Sequence, residues 1–261
     1  MRTLPSPACA TAPDLRGVAR RGHAIARAAS ACLLLAAVPC FAADPVVSPA
    51  ADPAAAGMVD VQALAPDIEV EMRYASSNNF TGAPVPGYAA NRCYLLRPAA
   101  EALARVQAGL RTEGMGLRVY DCYRPAHAVL SFVDWVGWPD DPALKARWYP
   151  RVERTALMPG YIGRVSGHSR GATVDLTLVR CGGETAGERG CEPLDMGTPY
   201  DFFDPLAHTD AAEITGVQRD NRSRLVDAMA AQGLANYPKE WWHYTLQPEP
   251  DPGTAYDFPV R

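Results

Sequence analysis

The chain has 261 residues, 48% of them hydrophobic and 21% charged, with a formal net charge of −4. That is ordinary globular composition, enough for one good core or at most two small ones. Beyond residue 43 the balance is 20 basic against 28 acidic residues, a net charge of −8; no basic patch survives, which argues against nucleic acid or anionic lipid as a partner.

Residues 1–43 read as an export signal. Arg2, Arg16, Arg20, Arg21 and Arg27 stand against one acid, Asp14, and precede the apolar run Ala31-Cys-Leu-Leu-Leu-Ala-Ala-Val38 and the small residues ending at Ala43. The run is too short for a membrane span, and Arg20-Arg21 leaves Sec and twin-arginine export both open. Pro39 is a poor residue at a lipobox cleavage point, so Cys40 is not read as lipidated. Four cysteines lie beyond the signal: Cys93, Cys122, Cys181 and Cys191. An even number in an exported chain suggests disulfides. Of the three pairings, Cys181–Cys191 with Cys93–Cys122 is favoured, the first closing a Gly-rich polar loop.

Residues 44–57 are rich in Pro and Ala and are predicted to be a disordered tether, with order beginning near Met58. Ile68, Val70 and Met72 alternate with Glu69, Glu71 and Arg73, the pattern of a half-buried strand. Residues 78–87 are turn-rich. Pro98 opens a helix over 99–110, with Leu103, Val106 and Leu110 on one face. Residues 117–123 read as a strand, and Pro125 opens a second helix that runs to Trp135-Val-Gly-Trp138. Residues 174–179 read as a strand, 221–232 as a helix stopped by Gly233, and 241–246 as the last strand. Strands and helices mix without strict β-α-β alternation. The expected fold is therefore a single α+β domain over 58–261, with a mostly antiparallel central sheet flanked by helices.

Two distant segments carry most of the chemistry: Ser166-Gly-His-Ser-Arg-Gly-Ala-Thr-Val-Asp175 and Glu240-Trp-Trp-His-Tyr244. Between them they offer two imidazoles, one carboxylate in a run apolar enough to be buried, and one carboxylate three residues before a histidine. That is the parts list of a catalytic zinc site with a general base. His168 and Asp175 are seven apart, which suits a loop feeding a strand. Gly167 and Gly171 let the backbone turn sharply around His168. Buried Asp175 needs a partner, and a metal ion would satisfy it. Taken alone, the pair is equally the pattern of a surface histidine and an aspartate bridged to an arginine. In a regular strand Glu240 and His243 would face opposite sides, so Glu240 must sit at the entry bend after Pro238-Lys239. Arg124, in Asp121-Cys-Tyr-Arg-Pro125, stands where a strand gives way to a helix. It is placed either to hydrogen-bond a developing oxyanion or to form a salt bridge with Asp121. His127 and His208 have no partner acid at ligand spacing and are read as surface or supporting groups.

These residues together resemble the D-alanyl-D-alanine dipeptidase family of zinc peptidases. The resemblance spans nearly all of residues 58–260, through Asn79-Phe-Thr-Gly82, Tyr123-Arg-Pro125, His168-Ser-Arg-Gly171, Asp175-Leu-Thr-Leu178, Glu240-Trp-Trp-His-Tyr244 and Tyr256-Asp-Phe-Pro259. Ser-x-His-x(6)-Asp with Glu-x-x-His is shared with D,D-carboxypeptidases and hedgehog-like domains; the last two segments narrow it to the dipeptidases. The resemblance implies a hedgehog/D,D-peptidase-like fold, with one Zn²⁺ per chain held by His168, Asp175 and His243. It makes Glu240 the general base and Arg124 the transition-state stabiliser, and puts Asp201, Tyr74 and Ser166 at substrate-binding positions. The implied activity is hydrolysis of D-Ala-D-Ala in cell-wall metabolism or glycopeptide resistance, in the periplasm, by a protein without nucleic-acid or membrane partners. Two other readings remain at this stage: a periplasmic D,D-carboxypeptidase or endopeptidase acting on muropeptides, and a non-catalytic zinc module that binds a wall fragment or partner. The export signal, the four cysteines and the Cys181–Cys191 loop depart from familiar members of the family.

Overall fold

The computed structural model describes residues 44–182 and 191–261. The export segment expected over 1–43, like the tip of the Cys181–Cys191 loop, lies outside the described residues. In chain order the strands are β1 (Val46–Val47), β2 (Met58–Asp60), β3 (Glu69–Val70), β4 (Tyr94–Leu96), β5 (Met115–Asp121), β6 (Thr173–Arg180), β7 (Glu192–Pro193), β8 (Leu234–Asn236), β9 (His243–Leu246) and β10 (Thr254–Ala255). The α-helices are α1 (Val61–Leu64), α2 (Arg97–Arg111), α3 (Ala126–Val136), α4 (Pro142–Trp148) and α5 (Gly216–Ala230).

The central sheet runs β3-β5-β6-β9-β8, with β7 paired to the C-terminal end of β6. Only β3–β5 is parallel among these pairs. This is the expected α+β arrangement with a mostly antiparallel sheet. Strand β6, Thr-Val-Asp-Leu-Thr-Leu-Val-Arg, is buried from Thr173 to Val179 because neighbours pair on both its edges and helices cover the sheet. Leu103, Val106 and Leu110 of α2 and Leu225 and Met229 of α5 supply part of the core. Both expected disulfides are present, Cys93–Cys122 and Cys181–Cys191.

Several elements differ from their expected bounds. Residues 44–57 are not a free tether: Val46 N donates to Gly253 O, Ser48 N to Ala255 O and Met58 N to Pro53 O, and Ala56 is buried. Composition pointed to disorder there; a short parallel pairing of β1 with β10 outweighs it. The last helix starts at Gly216, five residues before Asn221. Its N-terminus is a capping box: Thr215 Oγ1 accepts from Gln218 N, and the Gln218 side chain accepts from Thr215 N. Asn221 instead projects from the helix to Asp195 O. Strand β9 begins at His243 rather than Trp241, because a turn in which His243 N donates to Glu240 O holds the two tryptophans. The final segment packs behind His168, with Tyr256 N donating to Ser169 O and Tyr123 Oη to Phe258 O.

Candidate metal centre and cavity

Strand register builds the centre. Asp121 on β5 pairs with Asp175 on β6, and Asp175 pairs with His243 on β9. Residues directly opposite one another on neighbouring strands share a face, so the three side chains form one row at the same end of the sheet. His168 joins them from a 3₁₀ turn, Gly167–Arg170, that leads into β6. Ser166 caps that turn, accepting from His168 N at 3.2 Å, and Gly171 ends it at φ 76°. A side chain at Gly171 would collide with Met58, its Cβ lying 2.5 Å from Met58 Cε, so glycine serves both the left-handed backbone and the close packing.

His168 Nε2, His243 Nδ1 and the Asp175 carboxylate converge. The two ring nitrogens are 3.3 Å apart, His168 Nε2 is 3.3 Å from Asp175 Oδ2, and His243 Nδ1 is 3.0 Å from Asp175 Oδ1. A tetrahedral zinc site with bonds of about 2.0–2.1 Å has ligand atoms about 3.3–3.4 Å apart; the two ring nitrogens have that spacing, each faces a different oxygen of the Asp175 carboxylate, and one ligand atom from each residue lies within 4.8 Å of the others. His168 Nδ1 lies 2.7 Å from the Cys122 carbonyl. Donating there leaves Nε2 as the lone pair facing the centre, the usual support for a ligating imidazole. Asp175 Oδ1 is buried and takes part in no hydrogen bond, since its approach to His243 is off hydrogen-bond geometry. Burial alone would raise the Asp175 carboxyl, but the positive charge of the neighbouring histidines holds it well below the usual carboxylate range. Two imidazole nitrogens, one carboxylate and an orphaned oxygen fit a zinc-type ion.

Glu240 stands at the bend, as expected, with Oε2 3.4 Å from His243 Nδ1. Burial pushes its carboxyl up to about 7, against the opposing influence of His243. Arg124 approaches from the β5–α3 junction. Its Nε and Nη2 donate to Asp121 Oδ2 at 2.9 and 2.8 Å, and Nη2 lies 3.8 Å from Asp175 Oδ2. The guanidinium is flanked by the rings of Tyr74 and Phe132, each 5.1 Å away. The salt bridge and the site position, separate alternatives in the sequence, are thus the same arrangement. Asp121 is fully buried, holding Arg124 with one oxygen while Tyr88 Oη donates to the other at 2.6 Å.

All eight singled-out residues border one cavity of about 220 Å³. It is smaller than the roughly 300–1,000 Å³ of drug-sized sites, which suits a ligand of dipeptide size. Asp201 also borders it, buried, with φ 60°, the one non-glycine residue in left-handed conformation among the described residues. Tyr74 Oη donates to its carboxylate at 3.0 Å, and burial holds that carboxyl well above its ordinary range. Ser166 lines the cavity beside Gly167, and Tyr161, Ile162 and Tyr237 also border it. His127 pairs with Asp257 and His208 with Tyr161, both away from the converging donors.

Sequence reading missed Asp121 as an organiser and missed Tyr200, whose hydroxyl touches Asp175 and Tyr74. Asp121 carried a legible signal, an acid at the end of an apolar strand three residues before an arginine. Tyr200 carried none beyond its place beside Asp201.

The peptidase M15 family model, described as D-ala-D-ala dipeptidase, matches residues 54–261. A D-alanyl-D-alanine dipeptidase of Streptomyces coelicolor is 44% identical over 201 residues, 77% of this chain and 96% of that protein. One of Enterococcus faecium is 39% identical over 192 residues, 73% of this chain and 92% of that protein. Among solved structures, a zinc complex of the vancomycin-resistance D,D-pentapeptidase VanY aligns over 69% of this chain and 79% of that one, at 15% identity and a TM-score of 0.35.

Proposed function

The chain belongs to the D-Ala-D-Ala dipeptidase family of metallopeptidases, and from that premise we propose that it hydrolyses free D-Ala-D-Ala to two D-alanines with one Zn²⁺ held by His168, Asp175 and His243. The observation that carries this reading is the convergence of those three side chains, the ring nitrogens 3.3 Å apart and each 3.0–3.3 Å from one oxygen of the Asp175 carboxylate, with the Glu240 carboxylate 3.4 Å from His243. Zinc, when bound, supplies a Lewis acid that polarises the peptide carbonyl and acidifies water.

The remaining work falls to the protein's side chains. Glu240 takes a proton from the attacking water at its carboxylate and returns it to the leaving amine nitrogen; a carboxyl poised near neutrality suits both transfers. Arg124, fixed by Asp121, provides a preorganised cation for charge developing on the carbonyl oxygen. Asp201, with Tyr74, receives the substrate ammonium, and Ser166 adds a hydroxyl-bearing residue to the cavity lining. A charged amine supplies the counter-charge that the buried Asp201 carboxyl needs in order to ionise, whereas an acylated amine supplies none. This favours the free dipeptide over a peptidoglycan stem. No helix among the described residues is long and apolar enough to cross a membrane. The signal-like residues 1–43 and the two disulfides support a periplasmic site of action.

Glu240→Gln tests the reading. Zinc content is expected to stay near one per chain while turnover of D-Ala-D-Ala falls by about 10²–10⁴-fold; near-normal turnover would remove Glu240 as the base. N-acetyl-D-Ala-D-Ala is expected to be cleaved at least about 10²-fold less efficiently than the free dipeptide. Equal rates would instead favour a carboxypeptidase acting on wall peptides.

A further inference from the structure

Tyr200 stands one residue before Asp201, with its ring buried between Tyr120 and Trp242, at centroid distances of 4.9 and 5.5 Å. Its hydroxyl is 3.1 Å from Asp175 Oδ2 and 3.1 Å from Tyr74 Oη. Nothing in the reaction calls for a hydroxyl there. Yet it is buried polar chemistry aimed at one oxygen of a ligand carboxylate, while the other oxygen of that carboxylate, Oδ1, has no hydrogen bond at all.

We propose that Tyr200 is a positioning residue for the metal centre: by donating to Asp175 Oδ2, it reserves that oxygen and leaves Oδ1 as the one offered to the ion. The proposal rests on Asp175 being a zinc ligand. A free carboxylate can turn about its last torsion and present either oxygen, or both, to a cation. Three neighbours restrict Asp175. His243 Nδ1 faces Oδ1; His168 Nε2 and Tyr200 Oη face Oδ2, at 3.3 and 3.1 Å. Of the groups at Oδ2, the hydroxyl is the one with no part in holding the ion, so it is free to serve as a donor. Arg124 Nη2, at 3.8 Å, is too far to take its place. Supporting hydrogen bonds of this kind are commonly worth about 10–100-fold in metal affinity.

Tyr200 also has a second possible acceptor, Tyr74 Oη, which itself donates to Asp201. The experiment must therefore separate the bond to Asp175 from the integrity of the aromatic cluster. Tyr200→Phe keeps the ring and its packing and removes the hydroxyl. Tyr74→Phe removes the hydroxyl's other partner and leaves Tyr200 free to donate to Asp175. Zinc dissociation constants are measured by chelator competition for the unmodified chain and both variants, with visible spectra of the cobalt-loaded forms and thermal melts of the metal-free forms. The expected result is a zinc Kd raised about 10–100-fold in Y200F, with an altered cobalt spectrum, while Y74F stays within about threefold of the unmodified chain. The metal-free melts are expected to lie within a few degrees of one another, since Tyr→Phe retains the packing. A Y200F affinity within threefold of the unmodified chain would overturn the proposal. So would an equal loss in Y74F, because that assigns the effect to the hydroxyl cluster rather than to the Asp175 bond. If the unmodified chain itself bound no zinc, the failure would belong to the metal-centre reading instead.

Discussion

Asp121 decides how much of the site works as a unit. One of its carboxylate oxygens holds both Arg124 nitrogens at 2.8–2.9 Å and lies 3.5 Å from His168 Nδ1; the other accepts from Tyr88. Arg124 is thereby fixed before substrate arrives, and a preorganised cation costs no reorganisation at the moment of reaction. Arg124→Ala is expected to lower kcat by about 10²–10³-fold with KM much less affected. A change confined to KM would show that Arg124 binds ground state and transition state alike. His168, Asp175, Glu240, His243 and Arg124 were all legible as residues, because apolar context, glycine flanks and a strand-to-helix junction mark them locally. That Arg124's salt bridge and its place at the cavity are one arrangement was not legible. The arrangement depends on β5 pairing with β6 in the register that sets Asp121 opposite Asp175, and no local pattern fixes a pairing between strands more than fifty residues apart. Tyr200 was hidden for the same reason: its partners, Tyr74 and Asp175, lie 126 and 25 positions away.

Among the elements, long periodic segments such as α2 and the apolar run of β6 were legible nearly to their ends. Short ones were not. Helix α5 was expected to begin at Asn221, whereas Thr215 and Gln218 form the true cap; the polar first turn that follows Thr215 shows no apolar face to mark it as helical. The Glu240–His243 bend was deduced from a conflict, since a regular strand could not aim both side chains one way. Local electrostatics act at this scale too. Asp204 accepts from Leu206 N at the start of the short 3₁₀ turn Pro205–Ala207 and is paired with Arg151. Chiefly through the Arg151 hydrogen bond, its carboxyl is held below the ordinary value. A carboxyl depressed in the folded state stabilises fully above its unfolded pKa, near 4, and that contribution fades as pH falls through the folded pKa. Asp204→Asn is therefore expected to lose less stability than the unmodified chain between pH 5 and pH 2. Urea midpoints taken across that range check it; parallel losses in the two proteins would remove Asp204 from the acid response.

For the molecule as a whole, the Cys93–Cys122 disulfide joins the end of the Asp121 row to the segment before β4. Cys122 also lends its carbonyl to His168, so the crosslink secures the floor beneath the centre. Closing a 29-residue separation is worth about 3–4 kcal/mol on chain-entropy grounds. Replacing both cysteines by Ala is expected to lower the unfolding free energy by about that amount in denaturant titrations; a loss below about 1 kcal/mol would mean that the link adds little to the fold. The remaining question for the whole protein is whether the assembled centre works through its ion. The most direct measurement follows D-alanine released from D-Ala-D-Ala by purified protein of known metal content, before chelation, after chelation and after addition of one equivalent of zinc. Release is expected to vanish on chelation and to return as zinc approaches one per chain. Undiminished release from protein shown by elemental analysis to be metal-free, or no release from the fully zinc-loaded chain, would contradict the account.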